Sequence, residues 1–90
     1  MLLISYDISD TKIRSSFSRF LSKFGYRLQY SLFRIENSER ILKNIKNEIE
    51  NKYVNKFSQT DSIMIFDLPN GCDKILYGYA KNEESDVFIV

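Results

Sequence analysis

The sequence predicts an α/β (α+β sandwich) fold in which two helices cover one face of an antiparallel sheet. Three observations support this prediction. Short apolar runs of strand type are separated by two segments whose apolar residues recur at helical spacing. The chain has 90 residues, the length of one small domain. Its hydrophobic content of 43% is ordinary for a globular protein and too high for a disordered one.

The first predicted strand covers residues 2–8 and leads into a helix. Strand side chains alternate between two faces, of which one holds Leu2, Ile4, Tyr6 and Ile8 and the other holds Leu3, Ser5 and Asp7. Ser9 or Asp10 is a suitable N-cap for the helix. The apolar stripe of this helix is formed by Ile13, Phe17, Phe20, Leu21 and Phe24, and its opposite side carries Lys12, Ser16, Arg19 and Lys23. Gly25 is expected to end the helix as a C′ glycine.

Residues 26–35 alternate strictly and predict a second strand. One of its faces would hold Tyr26, Leu28, Tyr30 and Leu32, and the other Arg27, Gln29, Ser31 and Phe33. Asn37-Ser38 is predicted to cap a second helix with an apolar stripe of Ile41, Leu42, Ile45, Ile49 and Tyr53. Residues 61–68 read as a third strand and residues 73–79 as a weaker fourth, before a polar connector and a short apolar tail.

This order of elements is close to that of a ferredoxin-like fold. Residues 1–80 would form the domain, and residues 81–90 a connector and a C-terminal strand that pairs with the partner subunit. With both helices on one face, the other face of the sheet stays open. It is predicted to carry Leu3, Ser5, Asp7, Arg27, Gln29, Ser31 and Phe33. Because Leu3 and Phe33 would be exposed there, we expect that face to meet a partner, with a two-fold homodimer as the commonest solution.

Charge is distributed unevenly along the chain. Residues 11–35 carry six cations and no acid, whereas the rest of the chain carries seven cations and twelve acids. Such asymmetry indicates a polyanionic partner, although a solvated helix face that is neutralised by distant acids has the same pattern. Lys12, Arg19 and Lys23 fall in one helical stripe, which suits contact with a nucleic-acid backbone irrespective of sequence.

The residue inventory excludes several kinds of chemistry. Histidine is absent, which excludes histidine-based catalysis, and a lone cysteine without histidine excludes the usual zinc sites. The single cysteine, Cys72, cannot form an internal disulfide, so a reducing cytoplasm is the expected location. No apolar run approaches the roughly 20 residues of a membrane span, and the N-terminus lacks a signal-peptide pattern. We therefore expect no membrane partner.

Asp7 has the clearest chemical interpretation. It ends a strand on the predicted open face, so a symmetric dimer would bring two copies together, and Mg²⁺ or another divalent cation would relieve their repulsion. Such a metal can activate water and bind a phosphate oxygen, while Arg14 or Arg27 holds a phosphodiester. The alternative is that Asp7 is a polar residue at a strand end, and the spacing alone leaves both interpretations open.

Two motifs give the chain a resemblance to a known family. Tyr6-Asp7-Ile8-Ser9-Asp10 ends the first strand, and after the basic helix come Gly25, Arg27, Gln29, Ser31 and Phe33. At this separation, and with this length and order of elements, the motifs resemble those of CRISPR-associated protein 2, the small partner of the spacer-acquisition integrase. The resemblance matches Lys12 and Arg14 to the basic run of the family.

The resemblance implies a ferredoxin-like homodimer whose tail strand adds to the partner's sheet. It implies that Asp7 is the catalytic and metal-binding residue, with Mg²⁺ shared by Asp7 of both subunits. Family members are described as metal-dependent nucleases acting on single-stranded RNA or double-stranded DNA, and as scaffolds that hold duplex DNA for the CRISPR-associated protein 1 integrase. Together with the charge pattern, the nucleic-acid-binding set is Lys12, Arg14, Arg19, Lys23 and Arg27, supported by Tyr6, Ser31 and Phe33.

Three functions are therefore open from the sequence. The first is a metal-dependent nuclease, and the second is a non-catalytic scaffold for duplex DNA and the integrase during CRISPR spacer acquisition. The third is a toxin-type endoribonuclease or a ferredoxin-like regulatory domain unrelated to CRISPR, which the fold alone permits.

Overall fold

Four antiparallel strands form the main sheet in a computed structural model of the chain, which describes residues 1–36 and 38–69 and two short strands further on. The strands are β1 (Leu2–Asp7), β2 (Gly25–Gln29), β3 (Leu32–Ile35) and β4 (Ser62–Asp67). They lie in the order β2-β3-β1-β4, so β1 is central and β2 and β4 are the edges. With one helix after β1 and another after β3, this is the predicted ferredoxin-like arrangement.

Two helices, α1 (Thr11–Leu21) and α2 (Glu39–Glu48), connect the strands. Asp10 caps α1 by accepting the Ile13 N–H at 3.0 Å, and the Ser38 hydroxyl caps α2 by accepting the Ile41 N–H at 3.1 Å. After α2 the chain continues through a π-helical turn (Ile49–Tyr53) and a short 3₁₀ turn (Val54–Lys56). Within the described residues, neither helix has the length and apolar character that a membrane crossing needs.

The core lies between the sheet and one layer of helices. The sheet contributes Leu2, Ile4, Tyr6, Phe33 and Ile35, and the helical layer contributes Phe17, Leu21, Ile45 and Tyr53. The Phe17 ring lies 5.3 Å from that of Tyr6 and 4.9 Å from that of Tyr53, so aromatic contacts join both helical segments to the sheet. Burying each such side chain contributes roughly 1.5–3 kcal/mol. The predicted inward face of β1 is confirmed.

Residues 26–35 form a hairpin, and the prediction of one continuous strand there is wrong. The chain reverses at Tyr30 and Ser31, and a bulge between Arg27 and Gln29 shifts the pairing of β2 with β3. Ser31 is the one conventional turn residue in this turn, which has no glycine, proline or asparagine, so the turn signal in the sequence was weak. The Tyr6 N–H donates to the Ser31 carbonyl at 3.1 Å, which ties this turn to the end of β1.

The reversal also changes which side chains face the helices. Ile4 pairs with Phe33 and Phe33 pairs with Arg27, so these three side chains point to the same side of the sheet. Phe33 is buried and Arg27 is half-buried against α1, so the prediction that both lie on the open face is wrong. The predicted inward orientation of Tyr26 and Leu32 is likewise wrong, and Tyr30, also predicted to pack under the helices, is 66% exposed. A bulge and a reversal each shift the alternation, and a shift of one residue exchanges the two faces.

Gly25 begins β2 and does not cap α1. The helix ends at Leu21 with Ser22 as its C-cap residue, and residues 22–24 form a turn. A Cβ on Gly25 would lie 2.0 Å from the backbone oxygen of Arg34 on β3. The close approach of two backbones, rather than a left-handed conformation, therefore explains the glycine.

The remaining described strands are β5 (Ile75–Leu76) and β6 (Phe88–Ile89), which pair in parallel. Exchange of the tail strand with a second copy stays a prediction. The polar connector after residue 80, and with it the predicted domain boundary, lies outside the described residues.

Candidate functional site

A basic cavity of about 330 Å³ lies where β1 ends, α1 begins and the β2–β3 hairpin turns. Its size is at the lower end of the roughly 300–1,000 Å³ found for ligand pockets. Three arginines and four hydroxyl side chains line most of it: Arg14, Arg19, Arg27, Thr11, Ser15, Ser18 and Tyr30, with Tyr6 at the base. Among the described residues no acid lines it, and no arginine of the cavity forms an ion pair with any of them. The arrangement suits an anion that accepts several hydrogen bonds.

Arg27 is held in place from two directions. Its guanidinium donates to the Ser18 hydroxyl on α1 and lies over the ring of Phe33, 5.4 Å from the centroid. Phe33 in turn packs against Tyr6, with ring centroids 6.3 Å apart. A planar guanidinium on an aromatic base is pre-organised to bind a phosphate. Tyr6 and Phe33, predicted as supporting residues, thus form the apolar base beneath Arg27.

Arg14 joins α1 to the loop that follows β1. Its guanidinium donates to the Ile8 carbonyl at 2.9 Å and to the Thr11 hydroxyl at 3.3 Å. A guanidinium has five N–H donors, so these bonds fix its position and leave donors for an incoming acceptor. Arg14 therefore both orders the loop and contributes charge to the cavity.

Arg19 connects the cavity with a neighbouring groove. Its side chain is exposed, and the second groove, between α1 and the end of α2, is also lined by Lys23 and Lys52. Lys52 forms an ion pair with Glu48 at 3.8 Å. Glu48 also lines this groove, so the basic surface of the cavity continues through Arg19 as far as Lys23.

Asp7 lies at the same end of the sheet but faces the opposite side of β1. It pairs with Ser62 in the β1–β4 ladder, its side chain is exposed, and no described residue forms a hydrogen bond or ion pair with its carboxylate. Among the described residues no three metal-binding side chains gather at one point. At this point the described part of one chain thus offers the Asp7 carboxylate, and a two-carboxylate site around it requires a second copy.

Asp61 fixes the loop between Asp7 and α1. Its carboxylate accepts the Ser58 N–H, the Ser9 N–H and the Ser9 hydroxyl, each at 3.0 Å. These bonds, led by the Ser58 and Ser9 backbone N–H groups, lower the pKa of Asp61 from 3.8 to about 2. The loop is therefore held by Asp61 on one side and by Arg14 on the other.

The open face of the sheet carries an apolar patch. From the strand registers it holds Leu3, Leu32, Met64 and Phe66 together with Tyr26 and Arg34. Met64 and Phe66 are 54% and 46% exposed, which is high for large apolar side chains. The Arg34 guanidinium donates to the Tyr26 hydroxyl at 2.7 Å within this surface. An exposed patch of this kind marks a contact surface.

The predicted site residues fall into three places. Arg14, Arg19 and Arg27 meet in the cavity, Lys23 lies with Arg19 at the second groove, and Lys12 is exposed outside both. Asp7 lies on the other side of β1, so a single chain does not gather Asp7, Arg14 and Arg27 around one phosphate.

Sequence reasoning missed several residues that the fold adds to this region. These are Thr11, Ser15, Ser18 and Tyr30 in the cavity, Lys52 at the second groove and Asp61 in the loop. Ser15 and Ser18 follow Thr11 at spacings that share a helix side with Arg14, and that pattern was available in the sequence. Ser58, three residues earlier, is a local partner of Asp61, but nothing local marked the contact with Ser9, which is 52 positions away in the chain.

Comparison of the sequence with known protein families gives a match over most of the chain. A family model described as CRISPR associated protein Cas2 matches residues 1–75. "CRISPR-associated endoribonuclease Cas2 2" of Methanospirillum hungatei is 35% identical over 71 residues, covering 79% of this chain and 75% of that protein.

Two solved structures are similar in fold. A hypothetical protein, TT1823, from Thermus thermophilus has a TM-score of 0.72 at 22% identity, covering 92% of this chain and 95% of its own. Streptococcus pyogenes Cas2 has a TM-score of 0.66 at 21% identity, covering 78% of this chain and 87% of its own. At these identities the structures support the fold alone.

Proposed function

The chain belongs to the CRISPR-associated protein Cas2 family, and from this premise we propose that it binds nucleic acid during CRISPR spacer acquisition. Family membership supports a CRISPR-associated role over a toxin or regulatory domain outside such systems. The observation that carries the proposal is the cavity lined by Arg14, Arg19 and Arg27, in which the described part of the chain places no acid. Backbone phosphates are the ligands that such a set of guanidinium groups fits best.

We propose that the protein acts mainly as a scaffold, holding duplex DNA while the CRISPR-associated protein 1 integrase performs the chemistry. The basic surface that continues from the cavity through Arg19 to Lys23 supports backbone contacts with more than one phosphate along a strand. Contacts of this kind bind without reading sequence, which suits a protein that must accept DNA of any sequence. A cytoplasmic location, as predicted from the cysteine content, accords with this role.

The open face supports a homodimer as the working form. Burial of Met64 and Phe66 against a second copy would remove apolar surface from water. A two-fold contact across this face would also bring the two Asp7 carboxylates toward each other, since Asp7 projects from the same face. The dimer is therefore the form in which a shared cation site can exist.

A second function, metal-dependent cleavage of RNA or DNA, is supported by the free Asp7 carboxylate. The chemistry of the donor set fits Mg²⁺, which favours one or two carboxylates with retained waters. Such a cation would activate water and neutralise charge on a phosphate oxygen. In this scheme Asp7 of both subunits binds the cation and the phosphodiester to be cleaved, whereas Arg27, on the other side of β1, would bind a different phosphate.

The experiment that tests nucleic-acid binding compares Arg27→Gln with Arg40→Gln by fluorescence anisotropy of a labelled DNA duplex. Arg40 is exposed on α2 and lines neither groove, so both variants lose one charge and only one changes the cavity. We expect a several-fold weaker affinity for Arg27→Gln and little change for Arg40→Gln. Equal losses of affinity in the two variants would show that binding depends only on net charge, and would contradict the proposed site.

Asp7→Asn separates the scaffold from the nuclease. We expect spacer integration with the purified integrase to be unchanged in this variant if the protein is a scaffold. Lost integration, with dimer and DNA binding preserved, would show that metal chemistry at Asp7 is required. Nuclease activity that persists in Asp7→Asn would exclude Asp7 as the catalytic residue.

A further inference from the structure

We propose that Tyr30 stacks on a nucleobase and that the arginine cavity therefore takes an unpaired nucleotide. This inference rests on the proposed nucleic-acid binding and names the form of nucleic acid that the cavity accepts. The phosphate would lie against the cavity arginines and the base against the Tyr30 ring. An unpaired nucleotide here is one at a single-stranded end or one rotated out of a duplex.

The exposure of Tyr30 is the first observation. Its side chain is 66% exposed, whereas Tyr6 and Tyr53 are 4% and 1% exposed and pack in the core. Within the described residues, no aromatic ring stacks on Tyr30 and no group bonds to its hydroxyl. A single exposed aromatic residue is ordinary on a protein surface. Its place on the wall of a cavity with three arginines is what points to a ligand.

The backbone that carries Tyr30 is fixed. Tyr30 lies in the two-residue turn between β2 and β3, and the next residue, Ser31, accepts the Tyr6 N–H at 3.1 Å. Tyr6 also lines the base of the cavity. The turn is therefore tied to the cavity, and the ring is presented beside the guanidinium groups at little further ordering cost.

The chemistry of the two kinds of side chain matches the two halves of a nucleotide. Guanidinium groups bind the phosphate, and a phenol ring offers a flat apolar surface to a base. In a duplex both faces of each internal base are covered by its neighbours, so only an unpaired or terminal base can present a face to Tyr30. The cavity volume of about 330 Å³ lies in the range of small-ligand sites, which suits a single nucleotide.

The expected loss of single-strand affinity on replacing Tyr30 follows from the free energy of stacking a base on an aromatic ring. Loss of an aromatic platform weakens single-strand binding by about 5- to 150-fold per stacked base. Because stacking depends on the π face of the ring, phenylalanine should replace tyrosine with little loss. Alanine should remove the effect without unfolding the protein, since the side chain is mostly in solvent.

The experiment measures binding of two single-stranded probes of equal length to the full chain. One probe is an oligothymidine, and the other is the corresponding abasic sugar-phosphate strand, which keeps the charges and lacks the bases. The variants are Tyr30→Ala, Tyr30→Phe and, as a matched control, Val54→Ala, which shortens an exposed apolar side chain outside the cavity. Far-ultraviolet circular dichroism verifies the fold of each variant.

We expect Tyr30→Ala to weaken oligothymidine binding at least 5-fold and to leave abasic binding unchanged, with Tyr30→Phe and Val54→Ala like wild type. Oligothymidine binding that is unchanged in Tyr30→Ala, while Arg27→Gln weakens both probes, overturns the stacking role and leaves the proposed function standing. Equal loss of both probes in Tyr30→Ala also overturns it, because the base would then play no part. Failure of wild type to bind either probe or duplex DNA overturns both proposals.

Discussion

The carboxylate of Asp61 accepts two hydrogen bonds from Ser9, one from its backbone N–H and one from its hydroxyl, both at 3.0 Å. The two residues are 52 positions apart in the chain, so this contact closes the loop after β1 onto the segment before β4. The loop contains the residues between Asp7 and α1. Asp61 therefore acts on the candidate site as a positioning residue, through Ser9.

Replacing Asp61 with asparagine is expected to destabilise the fold in a pH-dependent way. The folded-state pKa of Asp61 is lowered from 3.8 to about 2, so its contribution is complete above 3.8 and is lost as the pH falls toward 2. The difference in urea midpoint between wild type and Asp61→Asn should be largest at neutral pH and should shrink below 3.8. Glu50→Gln, at an exposed helical position, is the control for losing one acidic group. A pH-independent difference would contradict this assignment.

Gly25→Ala is expected to disrupt the β2–β3 pair. The new Cβ would lie 2.0 Å from the Arg34 carbonyl oxygen and 2.8 Å from the Ile35 side chain, so the strands must separate. Overpacking of this kind destabilises by about 1–3 kcal/mol or more, measurable by urea unfolding. Because Arg27 and Tyr30 follow Gly25 in the same hairpin, affinity for nucleic acid should fall as well. Gln29→Ala, at the exposed end of β2, should show neither change.

Met64→Glu is expected to prevent self-association without unfolding the chain. The side chain is 54% exposed on the open face, so a carboxylate there remains hydrated in the monomer. In the proposed dimer, two copies of this charge would be buried near each other, which is strongly unfavourable. Analytical ultracentrifugation of wild type, Met64→Glu and the exposed control Val54→Glu gives the comparison. A wild-type monomer, or a Met64→Glu dimer, would exclude this face.

Arg19→Gln is expected to reduce the salt dependence of DNA binding more than Lys12→Gln does. Arg19 lines both basic grooves, whereas Lys12 is exposed outside them. Removing one phosphate-binding cation should lower the slope of log affinity against log salt by about 0.9. Affinities measured over a salt series for both variants provide this slope. Identical slopes for the two variants would indicate that binding responds to the overall charge of α1 rather than to the grooves.

Much of the fold was predictable because local patterns decide it. The alternation in residues 2–8 and the stripe of Phe17 and Leu21 specified β1 and α1, and Asp10 and Ser38 cap the two helices as expected. These features depend on neighbours within about one helical turn, so the sequence reports them directly. The six cations between residues 11 and 35 likewise indicated where charge would collect.

The hairpin was not predictable in this way. Tyr30 and Ser31 make a turn in which serine is the one usual turn residue, and the pairing of β2 with β3 includes a bulge after Arg27. Strict alternation through the reversal made the segment look like one strand. Phe33 was therefore assigned to the open face, although it is buried and supports Arg27.

Local patterns in the sequence were sufficient for β1, the two helices with their caps, the inward face of β1 and the basic character of α1. The folded structure was needed to show that Arg14, Arg19 and Arg27 share a cavity, that Asp7 faces away from them, and that Asp61 binds Ser9. Caps and periodicity are set by interactions between near neighbours. A side-chain cluster depends on strand register and on contacts between distant segments, and one bulge is enough to change which face a residue occupies.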